Sequence, residues 1–130
     1  MARPLYIICA SGTREKLQLA AMVASVAAAG GDKVSVFFSM NALAHFVKGR
    51  SEEAPAEGPF GDMMARKGGV PPFKQLFQQA AELGDATLLP CSMAMDLLEI
   101  GPDELEPALG PPTGLTRFLS DAQDGQLVTF

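Results

Sequence analysis

Apolar positions along the chain alternate between short continuous runs and longer stretches with helical spacing. Leu5 to Cys9 (LYIIC) is an unbroken apolar run closed by Ala-Ser-Gly, the pattern of a buried strand. Thr13 to Ala29 follows, rich in Ala, Leu and Met, with Gly30-Gly31 as its stop, which reads as a helix. Beyond Leu17 only Gln18 and Ser25 interrupt its apolar surface. A helix apolar nearly all round is buried on more than one side, so one side is expected on a sheet and another against a second subunit. Lys33 to Phe38 (KVSVFF) reads as a second strand and Asn41 to Val47 as a short helix. Residues 50–72 hold four Gly, four Pro and mixed charges, and are expected to form one long loop with the character of a mobile lid. Phe73 to Leu83 is an amphipathic helix stopped by Gly84, and Ala86 to Leu89 a third strand ended by Pro90. Met93 to Leu98 and Leu115 to Ala122 read as helices, Asp103 to Leu109 as a further helical turn, and Gln126 to Phe130 as the last strand.

Strands alternating with helices predict an α/β fold: a parallel sheet with helices on both faces. Right-handed crossovers then bring the C-terminal ends of the strands to one edge, where ligands and chemistry gather in such sheets. Cys9, Ser11, Gly12, Ser39, Met40, Asn41 and Cys91 are all expected there.

Composition narrows the functions this scaffold can serve. At 130 residues, 48% apolar and 19% charged, the chain reads as a single core-rich domain over residues 1–130. A net charge of −5 with scattered Lys and Arg argues against nucleic-acid binding. No apolar run reaches membrane-spanning length, and the N-terminus lacks the long apolar stretch of a signal peptide, so a cytoplasmic location is expected. The two cysteines do not make a disulfide framework.

Cys91, in ATLLP-CSMAMD, carries the clearest chemistry. Pro90 favours extended geometry in Leu89, and Ser92 is placed to cap the next helix. A thiol exposed at a strand end beside a helix N-terminus is favoured as thiolate, its reactive form. The plainer reading is a small buried hydrophobe. Cys9 reads as a core residue; the alternative is a resolving thiol for Cys91. Met93 and Met95 join Cys91 in a pattern of soft donors for Cu(I), but their helical spacing favours core or interface packing. Ser11-Gly12-Thr13 is a candidate anion cradle at a helix start, explained as well by capping, and is neither a Walker loop nor GxGxxG. His45, the sole histidine, has no motif linking it to Cys91. Asp62, Met63, Met64, Arg66 and Lys67 read as solvated loop or as part of the lid.

Taken together, these residues resemble the DsrE/DsrF-like sulfur-relay family, in its single-domain branch often labelled peroxiredoxin-like. The resemblance runs through the SGT after the first strand, the Ala-rich helix ended by Gly-Gly, KVSVFFSMNAL, GDMMARKGG, LPCSMAMDLLEIGPDEL and the closing GLTRFLSDAQDGQLVTF. It implies a three-layer α/β/α fold with a mainly parallel sheet of four to five strands, and assembly into trimers or hexamers. It also implies that Cys91 takes sulfane sulfur as a persulfide and passes it between donor and acceptor proteins or small thiols, with no metal, cofactor or general base. Ser92, Met93 and the following amides would steady the sulfur anion, and Ser11, Gly12, Ser39 and Asn41 would line the pocket. One stretch departs from the family pattern: LEPALGPPTG, with three prolines, stands where a further strand is usual, so that strand is expected to be short, at an edge, or absent. The competing readings are a non-catalytic oligomeric module that binds a small anion or a partner segment, and peroxide reduction through Cys91 and Cys9. The latter lacks the PxxxTxxC pattern.

Overall fold

The computed structural model describes residues 3–50 and 53–130. Its elements are β1 (Leu5–Cys9), α1 (Arg14–Ala29), β2 (Val34–Phe38), α2 (Met40–Leu43, running into a 3-10 turn at Ala44–Phe46), α3 (Pro59–Lys67), α4 (Phe73–Gly84), β3 (Thr87–Pro90), α5 (Ser92–Leu98), α6 (Leu115–Asp121) and β4 (Gln126–Thr129). The four strands form one parallel sheet in the order β3-β2-β1-β4. Because helices cover both faces, the strands carry near-continuous apolar runs rather than clean alternation. β2, inside the sheet, is buried at every position.

Register divides the core into two layers. Ile7 and Cys9 share rows with Val36 and Phe38, and these with Leu88 and Pro90. That face meets α1 and α4: the Phe38 ring lies 4.9 Å from Phe77 and 4.3 Å from Phe46. α1 approaches α4 through Ala residues, closely enough that a Cβ on Gly84 would collide with Ala28. The opposite face carries Tyr6, Ser35, Phe37, Thr87 and Leu89. Its main cover is α6, whose Phe118 packs at 5.1 Å from Phe37 and 5.7 Å from Tyr6. This second layer is thin, and Thr87 stays exposed. α1 is not enclosed within the single chain either: Leu19, Met22 and Val26 open to solvent near Phe60 and Val70.

Two expectations need correction. Residues 50–72 are not one loop, because α3 occupies 59–67. The Gly and Pro that suggested a loop are its punctuation. Pro59 stands at its start, Asp62 in its first turn, Arg66 and Lys67 in its last, and Gly68 ends it at φ 70°. Gly58 offers no side-chain cap, and the missing cap comes from α1. Glu15 accepts hydrogen bonds from the amides of Glu57 (2.8 Å), Gly58 (2.8 Å) and Gly61 (3.0 Å), while Arg14 donates to the Gly61 carbonyl at 2.8 Å. The second correction concerns residues 103–109, where only a 3-10 turn at Pro102–Glu104 forms before Leu105 bridges Val47.

The proline-rich segment does not form a strand. It leaves a single parallel bridge, Cys91 to Thr113, on the outer edge of β3. Gly110 donates to the Leu88 carbonyl (2.6 Å) and Thr113 to that of Pro90 (2.9 Å). Pro90 is tolerated as the last strand residue because its nitrogen faces this edge, leaving the ladder to β2 intact.

The Glu57 amide foremost, with those of Gly58 and Gly61, holds the Glu15 carboxyl below its ordinary range. The ionised form is the better acceptor, so the anchorage of α3 is complete above the usual carboxylate value of about 4.3 and fades as pH falls through the lowered folded-state value. Glu15→Ala should therefore raise amide hydrogen exchange at Glu57, Gly58 and Gly61 about tenfold or more at neutral pH. Unchanged exchange there would show that α3 is held by other contacts.

Candidate functional site

The sheet's hydrogen-bond ladder continues one residue past its strands. Ser39 donates to the Cys9 carbonyl at 3.0 Å and Cys91 to the Phe38 carbonyl at 2.8 Å. This fixes the chain just after β1, β2 and β3 side by side, and it holds Cys91 in extended backbone (φ −72°, ψ 121°) as the N-cap residue of α5. Of the first amides of α5, Ser92 donates to the Thr113 carbonyl and Met95 to that of Cys91. The amides between them, Met93 and Ala94, form no hydrogen bond among the described residues. They occupy the N2 and N3 positions, whose N–H groups an N-cap side chain ordinarily accepts from. The Cys91 thiol stands in the cap position but makes no cap hydrogen bond.

Cys91 was expected to be exposed and is 4% exposed. The reason is the segment 110–114, whose prolines prevent a strand but whose carbonyls and remaining amides still pair with β3 and Ser92, so that it lies along Cys91. Such a long-range cover has no local signature.

Cys9 is fully buried, and burial pushes its thiol up to about 12. Its row partners are Phe38 and, beyond it, Pro90, so β2 separates it from Cys91. Two strand spacings are about 10 Å, beyond the roughly 7 Å that a disulfide tolerates between Cα atoms. Cys91 also follows Pro90 and so falls on the other face. Both thiols are free. The structure thus separates the expected resolving thiol from Cys91, which weakens peroxide reduction through that pair.

The SGT turn is already filled. The Ser11 and Thr13 hydroxyls lie 3.0 Å apart, Thr13 donates to the Glu57 carboxylate at 2.9 Å, and the Arg14 amide to the Pro55 carbonyl. A carboxylate of the protein thus sits where an anion was expected. Gly12 and Asn41 do come together: a Cβ on Gly12 would lie 2.9 Å from both the Cβ and the carbonyl oxygen of Asn41. Ser39 is buried at the start of α2, and Asn41, two residues on, is exposed. Met40 between them has φ 50°, a left-handed conformation rare for an unbranched side chain, and is exposed. Ser92 is half-buried beside Gly114. Met93 is exposed whereas Met95 is buried, so these two thioethers diverge rather than converge on a metal. His45 is buried edge-on to Phe73 within the aromatic cluster of Phe46 and Phe77. No ion pair or hydrogen bond among the described residues joins Arg66 or Lys67 to Cys91.

A feature not read from the sequence is a cleft of about 710 Å³ on the thinly covered sheet face. Its floor is Tyr6, Ser35, Thr87 and Leu89, and its rim includes Lys33, Arg117, Asp121 and Asp124. Tyr6 donates to Asp124 at 2.7 Å, a bond that, with burial, pushes its hydroxyl up to about 12. The signal available in the sequence was Ser35, a polar residue set inside KVSVFF.

Two outcomes follow for the site. Iodoacetamide at pH 7.5 should place one adduct on the native protein, at Cys91, because Cys9 remains a protonated thiol in the core; intact mass with Cys91→Ala as control checks this, and an adduct retained in that variant would place the reactive thiol at Cys9. Gly12→Ala should cost about 1–3 kcal/mol through overpacking against Asn41. Denaturant melts measure that cost, and an unchanged midpoint would remove the packing role.

The model of the DsrE/DsrF/DrsH-like family matches residues 59–130, more than half of the chain, including α3, Cys91 and the closing helix and strand. A protein of unknown function, MTH1491, from Methanobacterium thermoautotrophicum shares the fold with a TM-score of 0.69 and 9% identity, covering 100% of both chains. The ychN protein from E. coli superposes with a TM-score of 0.66 and 13% identity, covering 98% of this chain and 99% of its own. A search of curated protein sequences finds no match.

Proposed function

The chain belongs to the DsrE/DsrF/DrsH-like family, and from that premise we propose that it is a sulfur carrier of sulfurtransferase type, with Cys91 as the atom that bears the cargo. The Cys91 thiolate attacks the outer sulfur of a persulfide or polysulfide donor. A new S–S bond forms on Cys91, the donor's S–S bond breaks, and the donor leaves as a thiolate with the bonding electrons. The acceptor step is the same exchange in reverse order. The observation that carries this reading is the pair of uncommitted amides at Met93 and Ala94, at the N2 and N3 positions that follow Cys91 at the N-cap. They are donors for an anionic sulfur without any rearrangement of the helix. The two amides, rather than the dipole of a seven-residue helix, are the stabilising feature. A loaded persulfide also stands about 2 Å beyond Sγ, which brings the reactive atom outward from the covered thiol.

The surroundings suit this role. No helix among the described residues is long and apolar enough to cross a membrane. Two free thiols fit the reducing cytoplasm. The apolar row of Leu19, Met22 and Val26, beside Phe60 and Val70, is the surface we assign to contact between copies of the chain. Ser39, Asn41, Ser92 and Met93 would then border the sulfur site, with Gly12 packed against Asn41.

One observation favours a second reading. A thiol 4% exposed suits a module whose edge binds a partner without chemistry. The two separate on a single measurement. Incubation with inorganic polysulfide should make the wild-type chain one sulfur atom heavier by intact mass, and Cys91→Ala should show no gain. A gain that persists in the variant, or none in the wild type, would falsify the carrier reading.

A further inference from the structure

Ser35 is the only polar residue of β2 and is 8% exposed. Its hydroxyl makes no hydrogen bond to any described residue. A hydroxyl on an inner strand is costly when unpaired, yet this one is not sealed: it opens on the floor of the 710 Å³ cleft. Around it stand charges of both signs. Lys33 makes no ion pair among the described residues, and Arg117 is joined to Asp121 by an exposed pair at 3.2 Å, of a kind worth little in water and readily exchanged for a ligand. The site is therefore built for a small molecule that offers both a cation and a carboxylate.

One end of the cleft lies beside the sulfur site, although Cys91 itself is not part of the lining. Its lining there is Leu89, Thr113 and Gly114. Thr113 is the bridge partner of Cys91 and accepts from the Ser92 amide. Thr87 and Leu89 lie on the cleft face, and the extended backbone carries that alternation to Cys91. Ser35 is in register with Thr87, four residues before Cys91, a span of about 13 Å along a parallel strand. A single amino acid cannot bridge that distance. Two extended residues, at roughly 3.3–3.6 Å each, lengthened by the thiol side chain and a persulfide bond of about 2 Å, approach it.

We propose that this cleft docks a short peptide thiol of about tripeptide length, with the ammonium and carboxylate of a γ-linked first residue at the Lys33–Arg117–Asp121 rim and its sulfur at Cys91, as the acceptor of the carried sulfur. The inference rests on the carrier reading of Cys91. The peptide thiolate attacks the outer sulfur of the Cys91 persulfide. The S–S bond to Cys91 breaks, Cys91 leaves as a thiolate with the electron pair, and the transferred sulfur keeps its proton in the new peptide persulfide. No further oxidant or reductant is consumed.

Glutathione is the probe. With Cys91 loaded by polysulfide and verified by intact mass, glutathione should unload it about tenfold faster than cysteine does, after each is scaled to its rate with a small-molecule persulfide. Ser35→Ala and Arg117→Gln should each cut the glutathione rate by about tenfold, the loss of one hydrogen bond to a charged group, and leave the cysteine rate unchanged. Equal scaled rates, or variants that behave as wild type, overturn the proposal. The unreactive S-methylglutathione supplies a readout free of sulfur chemistry. It should shift the amide resonances of Ser35, Thr87 and Arg117 in the unloaded protein. No shift at millimolar ligand overturns the cleft proposal even where Cys91 loads normally, whereas shifts in a protein that never loads support the cleft and defeat the carrier reading alone.

Discussion

The hydrogen bonds that extend the parallel ladder beyond the strands, from Ser39 to Cys9 and from Cys91 to Phe38, govern most of what surrounds them. In a parallel sheet every strand points the same way, so the chain leaves each one at a common edge. Prolonging the pairing by one residue brings the backbone after β1, β2 and β3 into one fixed row before α2 and α5 turn away. Cys91 acquires its N-cap position from that row rather than from α5, which is too short to organise its own start.

The same register makes the two cysteines unlike. Cys9 ends β1 inside the α1–α4 layer, where desolvation penalises its thiolate. Cys91 falls one residue past its strand, on the opposite face, next to amides with no other partner. Two residues of the same type thus differ through strand parity and position in the sheet, not through neighbouring charges. The contrast is the physical basis for assigning the chemistry to one of them.

Much of the architecture was legible in the residues. LYIIC, KVSVFF and ATLL announce buried strands, and the intervening helices carry glycine stops, so the parallel sheet and its common edge follow from pattern. The family match agrees with the resemblance seen in LPCSMAMDLLEIGPDEL and the closing segment. What escaped depends on partners distant in sequence. α3 was hidden because its cap is Glu15, more than forty residues away, and its own ends are Gly and Pro. The cover over Cys91 was hidden because residues 110–114 pair with β3 without forming a strand. The cleft was hidden because a lone Ser in a strand declares itself only once the register sets it beside Thr87 on a thinly covered face.

The remnant bridge at Thr113 has a bearing on solution behaviour. An unpaired strand at the margin of a sheet invites other chains to add to it. Here Pro111 and Pro112 lie along the outer side of β3 without amide hydrogens, while Gly110 and Thr113 occupy the carbonyls of Leu88 and Pro90. The segment therefore acts as a selvedge: it finishes the fabric of the sheet at its thiol-bearing border and denies stray polypeptides a template for aggregation.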